Sequence, residues 1–233
     1  MKRLWQWLWR KRHPVVIRNR ELCSKFKWDH PVEAYEFVVL DTELTGFNPR
    51  QHEIVSIGAV RIRDLMIAVG DNFFSYVKPL KTIPKDSTLV HHITASQIEN
   101  APHLSQVLPD FIEFCGGAVL IGHFIQLDLA FLKRATKRLL GGSIRNPSLD
   151  TMQLTLAYET SEQTVHEYGR YPRQSLNLTH IARGYSLPLF SKHDALEDAL
   201  QTAYLFLFLT RRLKNYGFKT LKDMERACRK SPI

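Results

Sequence analysis

Apolar and polar residues alternate most clearly between residues 53 and 64. In "EIVSIGAVRIRD", Ile54, Ser56, Gly58, Val60 and Ile62 share one face, and Val55, Ile57, Ala59, Arg61 and Arg63 share the other. That two-residue period predicts a strand. "MIAVGDNFFSYVKP" (66–79) follows after a tight connection, and together the two predict a long antiparallel hairpin. Ahead of them, the apolar run Val38, Val39 and Leu40 predicts a strand over roughly 35–41. The period then lengthens. "APHLSQVLPDFIEFC" predicts a helix, "GGAVLIGH" (116–123) a short buried strand opened by glycines, and "LDLAFLKRATKRLL" (127–140) an amphipathic helix stopped by Gly141 and Gly142. A short segment reaches Leu149 and Asp150 and runs into another helix, and residues 160–174 are polar and loop-like. "SLNLTHIARGY" opens a further helix with Ser175 as its N-cap, and "DALEDALQTAYLFLFLTRRLKNYG" (194–217) predicts a long helix ending at Gly217. Three antiparallel strands, then alternating helices and short strands, imply an α/β fold: a mixed sheet with helices on its faces.

A chain of 233 residues with 44% apolar content suits one such domain with short extensions. We divide it into a basic N-terminal extension (1–34), a folded domain (35–217) and a basic C-terminal helical tail (218–233). Charge sharpens that division, because residues 1–30 carry +7 of the net +9. A basic arm implies an anionic partner, nucleic acid or a membrane surface. Its opening, "MKRLWQWLWRKRHP", would as a helix gather Leu4, Trp5, Trp7 and Leu8 on one side. Three readings of it stand: docking on its own domain, anchoring to a partner protein, or resting on a membrane surface. It lacks the apolar stretch and cleavage site of a signal peptide, and no run in the chain approaches the ~18 residues that span a bilayer. The three cysteines, Cys23, Cys115 and Cys228, are far apart and in no metal-like spacing. They read as reduced thiols, which places the protein in the cytoplasm.

The chemistry is concentrated in acids at the ends of elements. "EFVVLDTELTGF" puts Asp41 and Glu43 directly after the apolar run. On a strand the two point the same way and Thr42 the other. Two carboxylates aimed at one point repel unless a cation lies between them, and an all-oxygen set favours a hard divalent ion, Mg²⁺ or Mn²⁺. The bland alternative is a strand that ends at Asp41 with both acids solvated. Asp128 lies at the beginning of a helix, where an acid is also favourable for the helix dipole. Asp198 sits beside Leu196, Ala199 and Leu200 and leans toward the core, where a lone acid is costly unless paired or metal-bound. Asp194 and Glu197 form a D-x-x-E capping arrangement that leaves His193 just outside the helix.

"DTELTGF", "GHFIQLDLAFL" and "HDALEDA" together resemble the three motifs of the DEDDh 3′–5′ exonucleases, and in particular the proofreading epsilon subunit of bacterial DNA polymerase III and its small relatives. The resemblance runs from about Tyr35 to Arg212. "VHHIT" with "AP" downstream, Asp150-Thr151 and "GRYPRQSLNLTHIARGY" agree with it in order. It implies an RNase H-like fold and a two-metal phosphodiester hydrolase. Asp41, Glu43 and Asp198 would hold the first ion, and Asp41 and Asp128 would serve the second. His193 would take the proton from the attacking water, a task its ordinary pKa suits. Thr42, Leu44, Thr45, Gly46, Phe47, His91, His123 and Phe124 would meet the terminal nucleotide. The chain departs from the family at Leu44 (usually Thr), at His123-Phe124 (usually His-Asn), at Gln126 and Leu127, and at His92, where a glycine usually follows the histidine matched by His91. These positions bear on the fit of that nucleotide and on DNA against RNA.

The implied substrate is a single-stranded DNA 3′ end, in proofreading or repair. Alternatives are the same chemistry on RNA, or a non-catalytic polymerase accessory protein, which would have no need of all five residues. A DNA polymerase subunit would have to come in trans. A sliding clamp is a further candidate partner, since "YSLPLF" (185–190) vaguely resembles a clamp-binding peptide. The basic residues of 134–138 and of 211–230 are either solvated helix faces or contacts to a nucleic-acid backbone.

Overall fold

A computed structural model describes residues 12–81, 93–165, 176–191 and 194–230. Five strands form one mixed sheet: β1 (Phe37–Leu44), β2 (Ile54–Arg63), β3 (Met66–Tyr76), β4 (Val119–Gly122) and β5 (Ser148–Asp150), in the order β3-β2-β1-β4-β5. The predicted hairpin is β2–β3, and β1 pairs antiparallel with β2 and parallel with β4. The helices are α1 (Pro14–Ser24), α2 (Ala95–Ile98), α3 (Leu104–Cys115), α4 (Gln126–Leu140), α5 (Thr151–Val165), α6 (Leu178–Gly184), α7 (Ala195–Lys214) and α8 (Leu221–Lys230).

Side-chain alternation along β1 sorts the core into two layers. Val38 and Leu40, with Ile57, Ala59 and Leu120, pack on α3 and α4 through Phe111 and Leu132. Phe37 and Val39, with Val60, Ile62 and Ile121, pack on α7 through Leu205, Phe206 and Leu209. The rings of Phe37 and Phe206 lie 4.8 Å apart.

Several boundaries differ from the sequence reading. Strand β1 does not stop at Asp41; it pairs with β2 as far as Leu44 opposite Ile54, so both acids stand on paired strand. Helix α6 is capped by Asn177, whose side chain accepts from the N–H groups of Thr179 and His180; Ser175 lies outside the described residues. Helix α5 continues to Val165, into the stretch read as loop.

The flanking segments are built into the domain. Val15 and Val16 of α1 join the α3/α4 layer, and Leu221 and Met224 of α8 join the α7 layer. Asn19 of α1 is buried and donates to the Gly116 carbonyl at 2.9 Å and to Asn146 Oδ1 at 2.6 Å, while its own oxygen accepts from the Arg145 N–H. The Trp-rich opening precedes the described residues. Cys23, Cys115 and Cys228 are free thiols, and burial pushes each of them upward in pKa.

Candidate active site

The C-terminal end of β1 presents functional side chains to both faces of the sheet. Asp41 and Glu43 project to the α7 side, and on α7 Asp198 meets them. One oxygen from each of the three lies within 4.8 Å of the others. Thr42, between the two strand acids, faces the opposite side, where its hydroxyl donates a short hydrogen bond to Asp128 Oδ1. Asp128 is in the first turn of α4 and is buried. The structure therefore brings Asp41, Glu43 and Asp198 together and sets Asp128 beside them, held by the residue that separates the strand acids.

Two features allow α7 to come this close. Gly58 stands opposite Asp41 in the β1–β2 register, and a Cβ built on it would lie 2.2 Å from the backbone of Ala195 and Leu196. The first turn of α7 thus rests on bare β2 backbone, and Asp198 follows within one turn. Asp194 caps that turn by accepting from the N–H groups of Leu196 and Glu197, as its sequence position implies. Glu197 Oε2 accepts from the Ser191 N–H at 2.6 Å. Asp194 and Glu197 therefore fix the chain on both sides of residues 192–193. His193 itself lies outside the described residues, as does His91.

Desolvation sets the electrostatics. Burial is the first cause that raises the pKa of Asp41 far above the carboxylate range, and Asp128, Glu43, Asp198 and Asp194 raise it further. Glu43 is pushed up to about 7 by burial and then by Asp198, Asp128 and Asp194. Asp128 is pushed up to about 7 by burial, against the hydrogen bond from Thr42 that lowers it. Carboxylates in this state bind protons or a cation. Oxygen donors alone, at this spacing, suit a hard divalent ion.

The other sequence-predicted residues occupy distinct places. Leu44, Thr45, Gly46 and Phe47 continue from β1 as one lip of the site, with Phe47 83% exposed. Thr45 is buried and exchanges hydrogen bonds with Glu53 across the loop. Gly46 has φ +150°, and a Cβ there would meet the His52 ring at 2.7 Å. Phe124 is 43% exposed. His123 faces inward: its Nε2 donates to the Leu176 carbonyl at 2.7 Å and its Nδ1 pairs with the Thr151 hydroxyl at 3.0 Å. Burial lowers its pKa, and both nitrogens are engaged by protein groups.

Sequence reasoning missed two supporting residues. Gly58 is one; its signal was a glycine inside a strand pattern, which marks close backbone approach. Asp150 is the other. Its Oδ1 accepts from the N–H groups of Phe124 and Met152 at 3.0 Å each, tying the β4–α4 turn that carries Asp128 to the head of α5.

The fold has solved counterparts. Exonuclease X in complex with 5′ overhanging duplex DNA aligns with a TM-score of 0.60 at 20% identity, covering 82% of this chain and 99% of that one. E. coli Exonuclease I in complex with a dT13 oligonucleotide aligns with a TM-score of 0.66 at 14% identity, covering 78% and 42%. The mixed sheet flanked by helices is thus the RNase H-like exonuclease fold. The RNase T exonuclease family model matches residues 38–206, and the chain belongs to that family.

Among its relatives, the DNA polymerase III subunit epsilon of Aquifex aeolicus is 31% identical over 82% of this chain and 90% of its own length. The DNA polymerase III subunit epsilon-like protein of Rhodobacter capsulatus is 38% identical over 82% of the chain and 26% of its own length. The DNA polymerase III PolC-type protein of Thermotoga petrophila is 31% identical over 90% of the chain, which spans 14% of it. The chain therefore covers a small part of several of the larger relatives it matches.

Proposed function

We propose that the protein is a divalent-metal-dependent 3′–5′ exonuclease that releases nucleoside 5′-monophosphates from single-stranded DNA ends. The observation that carries this reading is the convergence of Asp41, Glu43 and Asp198 within 4.8 Å at the end of β1. The fit to a metal is chemical: three oxygen donors, repelling one another and pushed toward protonation by burial, match a hard cation. Mg²⁺ or Mn²⁺, two ions in this reading, would supply Lewis acidity to an in-line displacement at phosphorus.

Asp41, Glu43 and Asp198 would hold one ion, and Asp41 and Asp128 would serve the other. Thr42 holds Asp128 in place from the far side of the strand. His193 would take the proton from the attacking water. The lip Leu44–Phe47 and the exposed ring of Phe124 border the space for the terminal nucleotide, and His123 fixes the wall behind it. The epsilon and PolC names of the relatives favour DNA, and a DNA polymerase is the corresponding partner. Clamp binding through 185–190 is disfavoured, because Tyr185 stacks on Phe208 at 4.7 Å and Leu187 packs in the same cluster. Among the described residues no helix is long and apolar enough to cross a membrane.

The test is degradation of 5′-labelled single-stranded DNA and RNA side by side, with and without Mg²⁺ or Mn²⁺. Stepwise shortening of DNA from the 3′ end, dependent on the ion, with a circular strand left intact, is the expected outcome. Cutting of the circle at a comparable rate would make the protein an endonuclease.

A further inference from the structure

Beside the lip of the site lies a narrow cleft of about 70 Å³ between the loop after β1 and the side of α4. Arg50 and Lys81 stand on one wall, Arg134 and Arg138 on the other, and Glu53 is the one acid among the lining residues. Glu53 Oε2 accepts from the backbone N–H groups of Leu80 and Lys81, so it is occupied in shaping the wall. Lys81 donates through Nζ to the Gln51 carbonyl at 3.1 Å, which points its ammonium along the loop and leaves it further donors.

Both walls continue into the catalytic end of the sheet. The loop wall begins at Gly46 and Phe47. The helix wall begins at Asp128, and Arg134 and Arg138 follow it by about 9 and 15 Å along the axis at ~1.5 Å per residue. At i and i+4 the two guanidinium groups stand on one side of the helix. The cleft opens to solvent, and the arginine forks along its rim can bind phosphate oxygens without reading sequence.

We propose that the basic rim of this cleft binds the sugar–phosphate backbone of the single strand whose 3′ end lies among the carboxylates. The inference rests on the exonuclease reading and extends it to the upstream nucleotides. The ~15 Å of helix corresponds to about four phosphates at ~3.4 Å per strand phosphate, so affinity should rise with oligonucleotide length up to about that many nucleotides and then level off.

The experiment is fluorescence anisotropy of labelled dT3, dT15 and a blunt 15-bp duplex with the full chain in EDTA, at several salt concentrations. For the Arg134→Ala/Arg138→Ala pair, dT15 binding should weaken about tenfold and the log–log salt slope should flatten by about 1.4, at ~0.7 per single-strand phosphate released. The Arg134→Lys/Arg138→Lys pair should recover most of the slope, which separates lost charge from misfolding. Arg183→Ala, one exposed charge removed from the last turn of α6, should leave the slope as it is.

Unaltered dT15 affinity and slope in the alanine pair would overturn the cleft. So would an equal loss on the blunt duplex, which would assign these arginines to double-stranded DNA. The same preparations are then given Mg²⁺. A wild-type protein that binds dT15 through the cleft and never shortens it sinks the exonuclease reading alone. One that shortens dT15 while the alanine pair binds it normally sinks the cleft alone.

Discussion

The two ends of β1 hold charges in opposite ways. At the start, Glu36 meets Arg63 at 3.1 Å and Arg61 at 3.3 Å, and Asp71 of β3 meets Arg61 at 3.0 Å and Arg63 at 2.8 Å. Arg61 is buried, lies 4.5 Å over the ring of Phe114 and donates to the Phe114 carbonyl at 2.5 Å. Two cations and two anions close on themselves there and join β1, β2, β3 and α3. At the other end carboxylate meets carboxylate: the charged groups that raise Asp41 are all acids. Burial is tolerated at the first end because the charges are satisfied within the protein. At the second it is tolerated only with protons or a cation added from solution. A balanced cluster around one buried arginine reads as architecture, an unbalanced buried one as a site.

That contrast predicts opposite consequences of losing a charge. Asp41→Ala or Asp198→Ala should abolish hydrolysis, with a loss of at least ~10⁴-fold set by the missing charge stabilisation. The melting temperature of the metal-free protein should hold or rise, because a repulsion has been removed. Arg61→Met should do the reverse. It leaves Glu36 and Asp71 with Arg63 as their one remaining cation and removes a donor from the Phe114 carbonyl, which for these partly exposed acids costs about 1–2 kcal/mol. Calorimetry beside an activity assay checks both, and a wild-type rate in either aspartate variant removes the metal assignment.

His193→Ala should lower turnover by about 10²- to 10⁴-fold, the range of a general base. Metal affinity, followed by Mn²⁺ titration, should stay near that of the wild type. A loss of affinity as large as in Asp198→Ala would make the histidine a ligand.

Gly58→Ala tests how the unbalanced end is assembled. The new methyl has no room against Ala195 and Leu196, so α7 must move away from β2 and carry Asp198 with it. A displacement near 1 Å costs on the order of 10²-fold in rate. Ala59→Gly, one residue along and facing the α3/α4 layer, opens space without pushing α7 and serves as the comparison. It should cost stability and leave metal affinity intact.

The sequence made these two ends legible to different degrees. The hairpin, the mixed sheet and the helices announced themselves through period and glycine stops, because each depends on local contacts. The acids were legible as types in order, since Asp41 and Glu43 directly follow an apolar strand run and Asp128 and Asp198 fall in the first turns of helices. What the sequence did not show was through-space: that Thr42 reaches across to hold Asp128, that Gly58 is the seat of α7, and that Asp150 ties the turn before Asp128. It also hid the ion network, because Arg61 and Arg63 read as the polar face of a hairpin. Helix α1 left no trace in the hydrophobic pattern, because it buries only Val15, Val16 and Asn19, too few to mark a helical stripe.

The smallest expected effect is a slope. In the metal-free protein Glu43 titrates near 7 against an ordinary 4.5, and Asp128 near 7 against an ordinary 3.8. The folded state therefore holds more protons than the unfolded chain between about pH 4 and 7, and stability falls as pH rises through that window. The stabilising contribution of the neutral carboxyls is fully present below the unfolded values and is gone once pH passes the folded ones. A divalent ion binds the ionised forms, so its stabilisation should grow over the same window. Thermal melts from pH 5 to 8 should show the EDTA curve declining by several degrees and the Mg²⁺ curve separating from it upward, at the few-degrees-per-kcal/mol scale of a domain this size. Glu43→Gln should flatten the EDTA curve, because the amide needs no proton. If the wild-type EDTA curve is already flat, the carboxylates are satisfied without a cation, and the two ends of β1 are more alike than their charges suggest.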